Sequence, residues 1–130
     1  MTKILIAEDD PDIRELIVIS LKYAGYEVVP AADGQQAVDL TVQENPDLIM
    51  LDVRMPLLTG FEALEQIKER PQFKDTPVVI LSAKGQEAEI KSGLDLGACQ
   101  YILKPFAPDE LIGKIQEIVT GAQEAPVEHP

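Results

Sequence analysis

The sequence predicts one α/β domain built on a parallel five-stranded sheet with helices on both faces. Three observations carry that prediction. Five short apolar runs alternate with amphipathic stretches along the chain. The runs are mostly Ile, Leu and Val, as strands covered on both sides must be. Helix-start signatures stand where several of the amphipathic stretches begin. Such alternation favours right-handed crossovers and a parallel sheet.

The first run is residues 3–7 (KILIA). Asp10 and Pro11 follow as an N-cap and a first-turn proline, whose missing N–H costs nothing there. Ile13, Leu16, Ile17, Leu21 and Ala24 then fall on one helical face. The second run is 27–31 (EVVPA), after which Asp33 and Gln36 have capping-box spacing. The third, 48–51 (LIML), is followed by the same spacing at Thr59 and Glu62, and the fourth is 78–82 (VVILS). The fifth, 100–103 (QYIL), leads into Ala107, Pro108, Asp109 and Glu110, which place acids at the positive end of a last helix. Leu111, Ile115, Ile118 and Val119 give that helix its apolar face. Residues 121–130 (GAQEAPVEHP) show no apolar periodicity. The domain is therefore expected over 1–121, with 122–130 a disordered tail and His129 an inert part of it.

At 130 residues, 45% hydrophobic and 26% charged, the chain suits one soluble domain with a real core. A lone cysteine, Cys99, permits no internal disulfide and fits a reducing cytosol; it is expected to be a small half-buried hydrophobe. The N-terminus has no signal-peptide pattern, and no apolar run approaches a membrane span, so a cytoplasmic location is expected. The net charge is −12, with eleven scattered Lys and Arg. That field repels phosphate backbones and argues against direct nucleic-acid binding.

Ligands of open α/β sheets bind at the carboxyl ends of the strands. Glu8, Asp9 and Asp10 follow the first strand, Asp52 the third, and Lys104 the fifth, while Ser82 ends the fourth. Asp10 is assigned to capping. The other carboxylates repel one another unless a cation sits among them. A hard divalent ion such as Mg2+ (or Mn2+) takes oxygen ligands of this kind and reverses the local field. An anionic phosphoryl donor can then approach, and the Asp52 carboxylate can attack phosphorus to give an aspartyl phosphate. Ser82 and Lys104 are placed to donate to oxygens of the transferred group. Each residue alone has a plainer role: Asp52 as a turn residue, Lys104 as a solvated cation, Ser82 as a turn hydroxyl. Their joint placement at successive strand ends makes the pattern specific.

Three other functions fit less well. A phosphatase or phosphotransferase acting on a separate substrate would need a cap or a second carboxylate two residues past the nucleophile, where this chain has Arg54. A flavin module would need a Ser/Thr/Gly-rich phosphate loop where Glu8, Asp9 and Asp10 stand. A degenerate domain that only binds proteins would not need the full acceptor set.

Glu8-Asp9, Asp52 through Pro56 (DVRMP) with Gly60, Ser82-Ala83, and Lys104-Pro105-Phe106 together resemble the receiver domain of bacterial response regulators, including single-domain chemotaxis regulators. The resemblance covers residues 3 to about 120. It implies sheet order 2-1-3-4-5, as in flavodoxin-like folds, and phosphorylation of Asp52 by a histidine kinase, a phosphotransfer protein or a small phosphodonor. It implies metal ligation by Asp9, Asp52 and the Arg54 backbone carbonyl, with Glu8 acting through water. It places Ser82 and Tyr101 as switch residues and makes Lys104–Pro105 a cis bond. It directs a downstream protein target to the face of the fourth helix, fifth strand and fifth helix. Such a domain catalyses only its own phosphorylation and dephosphorylation. The resemblance also places Arg54 and Lys84, two residues beyond Asp52 and Ser82, beside the path of hydrolytic water, and they are expected to lengthen the phosphorylated lifetime, since neither side chain can accept a hydrogen bond from that water. Two departures stand out. Glu8 occupies a position where Asp is commoner. Cys99-Gln100 stand where DNA-binding members that pair through these helices often carry two aspartates, so that ion-pair dimer is not expected.

Overall fold

The computed structural model describes residues 1–83 and 87–123. Strands and helices alternate as β1 (Lys3–Ala7), α1 (Pro11–Tyr23), β2 (Glu27–Ala31), α2 (Gly34–Glu44), β3 (Leu48–Asp52), α3 (Gly60–Lys68), β4 (Val78–Ala83), α4 (Glu87–Asp95), β5 (Gln100–Lys104) and α5 (Pro108–Gln123). A 3-10 turn, Pro71–Phe73, follows α3. All strand pairs are parallel, in the order β2-β1-β3-β4-β5. Pro30 is tolerated because β2 lies at the sheet edge. Strands β3, β4 and β5 each run one residue beyond the apolar runs. That extra residue carries Asp52 and Lys104 into the pleat itself, where the ladder fixes their direction.

Side-chain caps set the helix starts. The Asp10 carboxylate accepts from the Asp12 and Ile13 amides at 2.9 and 3.2 Å. Thr59 and Glu62 form a complete capping box. Asp33 accepts from the Gln36 amide, but the Gln36 side chain accepts from Ala32, one residue earlier than a reciprocal box requires. In α5 the Glu110 carboxylate accepts from the Ala107 amide.

Alternation along the strands divides the core in two. Leu5, Ala7, Ile49, Leu51 and Ile80 pack toward α2 and α3 with Ala63, Leu64 and Ile67. Ile4, Ile6, Met50, Val79, Leu81 and Ile102 pack toward α1 and α5 with Ile17, Leu21, Leu111 and Ile115. Leu16 is a correction: it was expected on the inward face of α1 but is 43% exposed. Ile13, Ile17 and Leu21, four residues apart, take the sheet contact and leave Leu16 at the edge of the stripe. Cys99 is also exposed rather than half-buried. Its neighbour Ala98 turns inward, while the Cys99 amide bonds to the Val78 carbonyl at 2.9 Å.

Residues 121–123 lie in α5 despite their lack of apolar periodicity, since helical propagation needs no apolar side chain at each step. The rest of the expected tail, 124–130 with His129, lies outside the described residues, as does Lys84. Among the described residues no helix is long and apolar enough to cross a membrane.

Candidate functional site

Register brings the candidate residues to one edge. Asp52 pairs with Leu81, Ser82 with Leu103, and Ala83 with Lys104. Glu8 leaves β1 with its amide on the Ala31 carbonyl at 3.1 Å. After Asp52 the chain turns sharply into α3. The Gly60 amide returns to the Val53 carbonyl at 2.8 Å, and a side chain at Gly60 would fall on the Asp52 carbonyl. Glycine there is a condition of the turn that aims Asp52. In the same loop Leu57 has φ +70°, within a tight turn closed by the Leu58 amide on the Pro56 carbonyl.

These elements enclose a cavity of about 350 Å³ lined by Glu8, Asp9, Asp52, Arg54, Ser82, Glu89 and Lys104, among others. Lys104 on β5 reaches past β4. Its ammonium donates to Glu8 Oε1 at 3.0 Å and to Asp52 Oδ2 at 3.2 Å. The Lys104–Pro105 bond at its back is cis. Glu8 is 1% exposed and Asp52 5%, whereas Asp9 faces solvent. Burial, then the charge of Asp52, pushes the Glu8 carboxyl up to about 7, against the pull of Lys104 and the Asp10 amide. Burial alone would lower the Lys104 ammonium, but the Glu8 and Asp52 carboxylates outweigh it and raise its pKa.

Glu8, Asp9 and Asp52 each present a carboxylate oxygen, all within 4.8 Å of one another. This donor set suits a hard divalent cation, which would offset both the burial and the neighbouring Asp52 charge that raise the Glu8 carboxyl. Asp10 is a cap, as expected.

The structure gathers Glu8, Asp9, Asp52, Ser82, Lys104 and Arg54 into one cavity. Tyr101 lies apart from it. The parallel register pairs Tyr101 with Ile80, two residues before Ser82 on the same side of β4. Tyr101 is half-buried, and a second cavity of about 240 Å³ opens beside it among Pro105, Phe106 and Lys114. The Lys114 ammonium lies 4.8 Å from the Tyr101 ring centre and donates to the Tyr101 carbonyl at 3.0 Å.

Two contributors escaped sequence reasoning. Glu89 of α4 accepts from the Ser82 hydroxyl at 3.1 Å and from the Arg54 guanidinium at 2.7 Å. Arg54 is thus paired across the cavity mouth, and Ser82 points to α4 rather than to Asp52. Arg14 of α1 donates to the Glu8 carbonyl at 2.7 Å, holding the backbone that carries the acidic pair. Glu89 lies seven residues past Ser82 in a helix of weak apolar pattern, and nothing in its spacing points back to the strand ends.

The model of the response regulator receiver domain matches residues 4–116. The phosphate regulon transcriptional regulatory protein PhoB of Pseudomonas aeruginosa is 40% identical over 129 residues, covering 96% of this chain and 56% of that protein. The DNA-binding dual master transcriptional regulator RpaA of Synechocystis is 38% identical over 126 residues, covering 97% of this chain and 52% of its own. The chain therefore spans about half the length of the curated relatives it matches. Among solved structures, the chemotaxis response regulator CheY4 of Vibrio cholerae superposes with a TM-score of 0.87 at 35% identity, covering 91% of this chain and 98% of that one. With the sheet order and the strand-end residues already in place, the chain belongs to the response regulator receiver domain family of two-component signalling.

Proposed function

We propose that Asp52 is the phosphoacceptor, working with Mg2+ (or Mn2+) held by Asp9, Asp52 and the Arg54 backbone carbonyl, with Glu8 acting through water. The single observation that carries this is the Lys104 ammonium bonded to both Asp52 and Glu8 within a cluster of three carboxylates. When bound, the cation supplies positive charge for the phosphoryl oxygens and their developing negative charge. An Asp52 carboxylate oxygen forms the new bond to phosphorus as the bond to the donor's leaving group breaks. The leaving group departs with the electron pair, and an acyl phosphate remains. Lys104 and the Ser82 hydroxyl donate to the transferred oxygens. The chemistry serves only the domain's own phosphorylation and dephosphorylation.

The donor is a histidine kinase or a phosphotransfer protein, with small phosphodonors as substitutes. Phosphorylation draws Ser82 inward, Tyr101 turns toward the vacated space, and the α4–β5–α5 face changes for a protein target. Arg54 and Lys84 then slow hydrolysis, because neither orients the attacking water. The net charge of −12 disfavours contact of this domain with nucleic acid. DNA binding by the longer RpaA is a property of that protein.

Intact-mass measurement with magnesium and acetyl phosphate tests the acceptor: one phosphoryl group should add to the wild type and none to Asp52→Asn. Addition to the variant at an unchanged level would move the acceptor elsewhere. Loss of phosphate should be faster in Arg54→Asn with Lys84→Glu than in the wild type at equal magnesium. Equal or slower loss would remove the protective role.

A further inference from the structure

We propose that Glu89 is a positioning residue that tethers α4 to the acceptor pocket in the unphosphorylated chain and opposes phosphorylation until it is displaced. The inference rests on the acceptor role of Asp52. Its basis is the pair of donors that Glu89 holds. The Ser82 hydroxyl has one proton, and it goes to Glu89 Oε1 at 3.1 Å. It cannot serve a phosphoryl oxygen at the same time. The Arg54 guanidinium, which the acceptor loop places two residues past Asp52, goes to Glu89 Oε2 at 2.7 Å. One carboxylate thereby engages both donors in the position that a phosphoryl dianion would compete for. The Glu89 side chain is 17% exposed, so removing its partners strands a largely desolvated charge beside a new anion.

The helix that carries Glu89 is the one least able to resist. Gly93 is the only buried residue among the described positions of α4, whereas α1, α2 and α3 each bury three or four. Gly93, one turn on from Glu89, packs closely on the Ile80 and Phe61 side chains, where an added Cβ would lie 3.0 Å from Ile80 Cγ1 and 3.4 Å from Phe61 Cε1. So α4 buries little of itself against the sheet and is tied at its first turn through Glu89. Sparse burial marks an element that opens at low cost. Loss of the tie transmits the chemistry at Asp52 to the helix start. Conversely, the tie lowers the population of the arrangement in which Ser82 and Arg54 are available, and this reduces apparent affinity for a phosphoryl group in proportion.

The test is calorimetric titration of the magnesium-saturated full chain with beryllofluoride, a mimic of the phosphoryl group. Wild type, Glu89→Ala and Glu89→Gln are compared. Glu89→Ala should bind about fivefold more tightly, or ~1 kcal/mol, the scale of one hydrogen bond to a charged group less its replacement by water. Glu89→Gln, which keeps an acceptor for Ser82 without the charge, should fall between the two. Affinity for magnesium alone should stay within about twofold, because Glu89 is not one of the three clustered carboxylates. In addition, amide resonances of 87–90 in unliganded Glu89→Ala should lie part-way toward their positions in the beryllofluoride-bound wild type. A merely structural role predicts weaker binding and no such displacement. Equal or weaker beryllofluoride binding in both variants, with the wild type binding normally, overturns the tether alone. Absence of saturable binding in the wild type overturns the acceptor role and the tether with it.

Discussion

The acceptor pocket has two sides built on different principles. On the β1–β3–β5 side, Glu8 and Asp52 are almost wholly buried and share the Lys104 ammonium. On the β4–α4 side, Glu89 joins Ser82 to Arg54, whose side chain is 73% exposed. The first side is a fixed array of charges whose members depend on each other, because removing one leaves another without compensation in a poorly solvated place. The second is a pair of contacts to one carboxylate, Glu89, whose outer partner Arg54 is exposed and open to exchange with water or a competing anion. Chemistry needs the first kind of arrangement and switching needs the second. This pocket sets them a few ångströms apart.

Removing Lys104 should break the fixed side most severely. Lys104→Ala is expected to lower the stability of the metal-free chain at pH 8 by about 2–3 kcal/mol, at or just below the roughly 3–5 kcal/mol of a broken buried ion pair because Lys104 is itself partly exposed. The loss should shrink toward pH 4.5, where Glu8 takes up a proton and no longer needs the cation. The raised pKa of Lys104 keeps the ammonium charged throughout that range. Urea denaturation at both pH values measures it. An equal loss at both would mean that Lys104 contributes packing rather than charge compensation.

Glu8→Gln should change the fixed side in the opposite direction. A carboxyl raised in the folded state stabilises below its unfolded value, near 4.5, and that contribution is lost as pH rises through about 7. The metal-free variant should therefore match the wild type near pH 4 and exceed it by about 1–2 kcal/mol at pH 8, less than the full shift because Gln forfeits the ion pair with Lys104. Saturating magnesium should narrow or reverse the gap by stabilising the wild type more. A variant less stable than the wild type at pH 8 without metal would show that Lys104 already compensates the cluster.

The exchangeable side should register least. Arg54→Ala is expected to shift stability by less than about 1 kcal/mol at any pH between 5 and 8, as exposed ion pairs do. A loss above about 2 kcal/mol in urea denaturation would erase the contrast between the two sides.

Much of this was legible in the chain. The apolar runs located all five strands: β1, β3 and β4 are buried nearly throughout and must be apolar, while the edge strands β2 and β5 keep a short apolar centre. The caps at Asp10 and Thr59 could be read directly, since a capping side chain bonds to an amide two or three residues away. Leu16 was misplaced because helical spacing defines a stripe without saying where its edge falls. Cys99 was misplaced because a single residue between elements has no periodicity to orient it.

Asp52, Ser82 and Lys104 could be assigned to one edge from sequence because a parallel sheet sends every strand's carboxyl end the same way, and local spacing then determines what each end carries. Only the tertiary structure decided how those groups divide their bonds. Lys104 turns to Glu8, 96 residues away in sequence, as well as to Asp52, and Ser82 turns to Glu89 rather than inward. Those choices depend on the packing of α4 against β4 and on the width of the cavity, and no local pattern encodes either. Hydrogen-bond partners are chosen within about 3 Å, and residues far apart along the chain come within that distance only when the whole sheet is assembled.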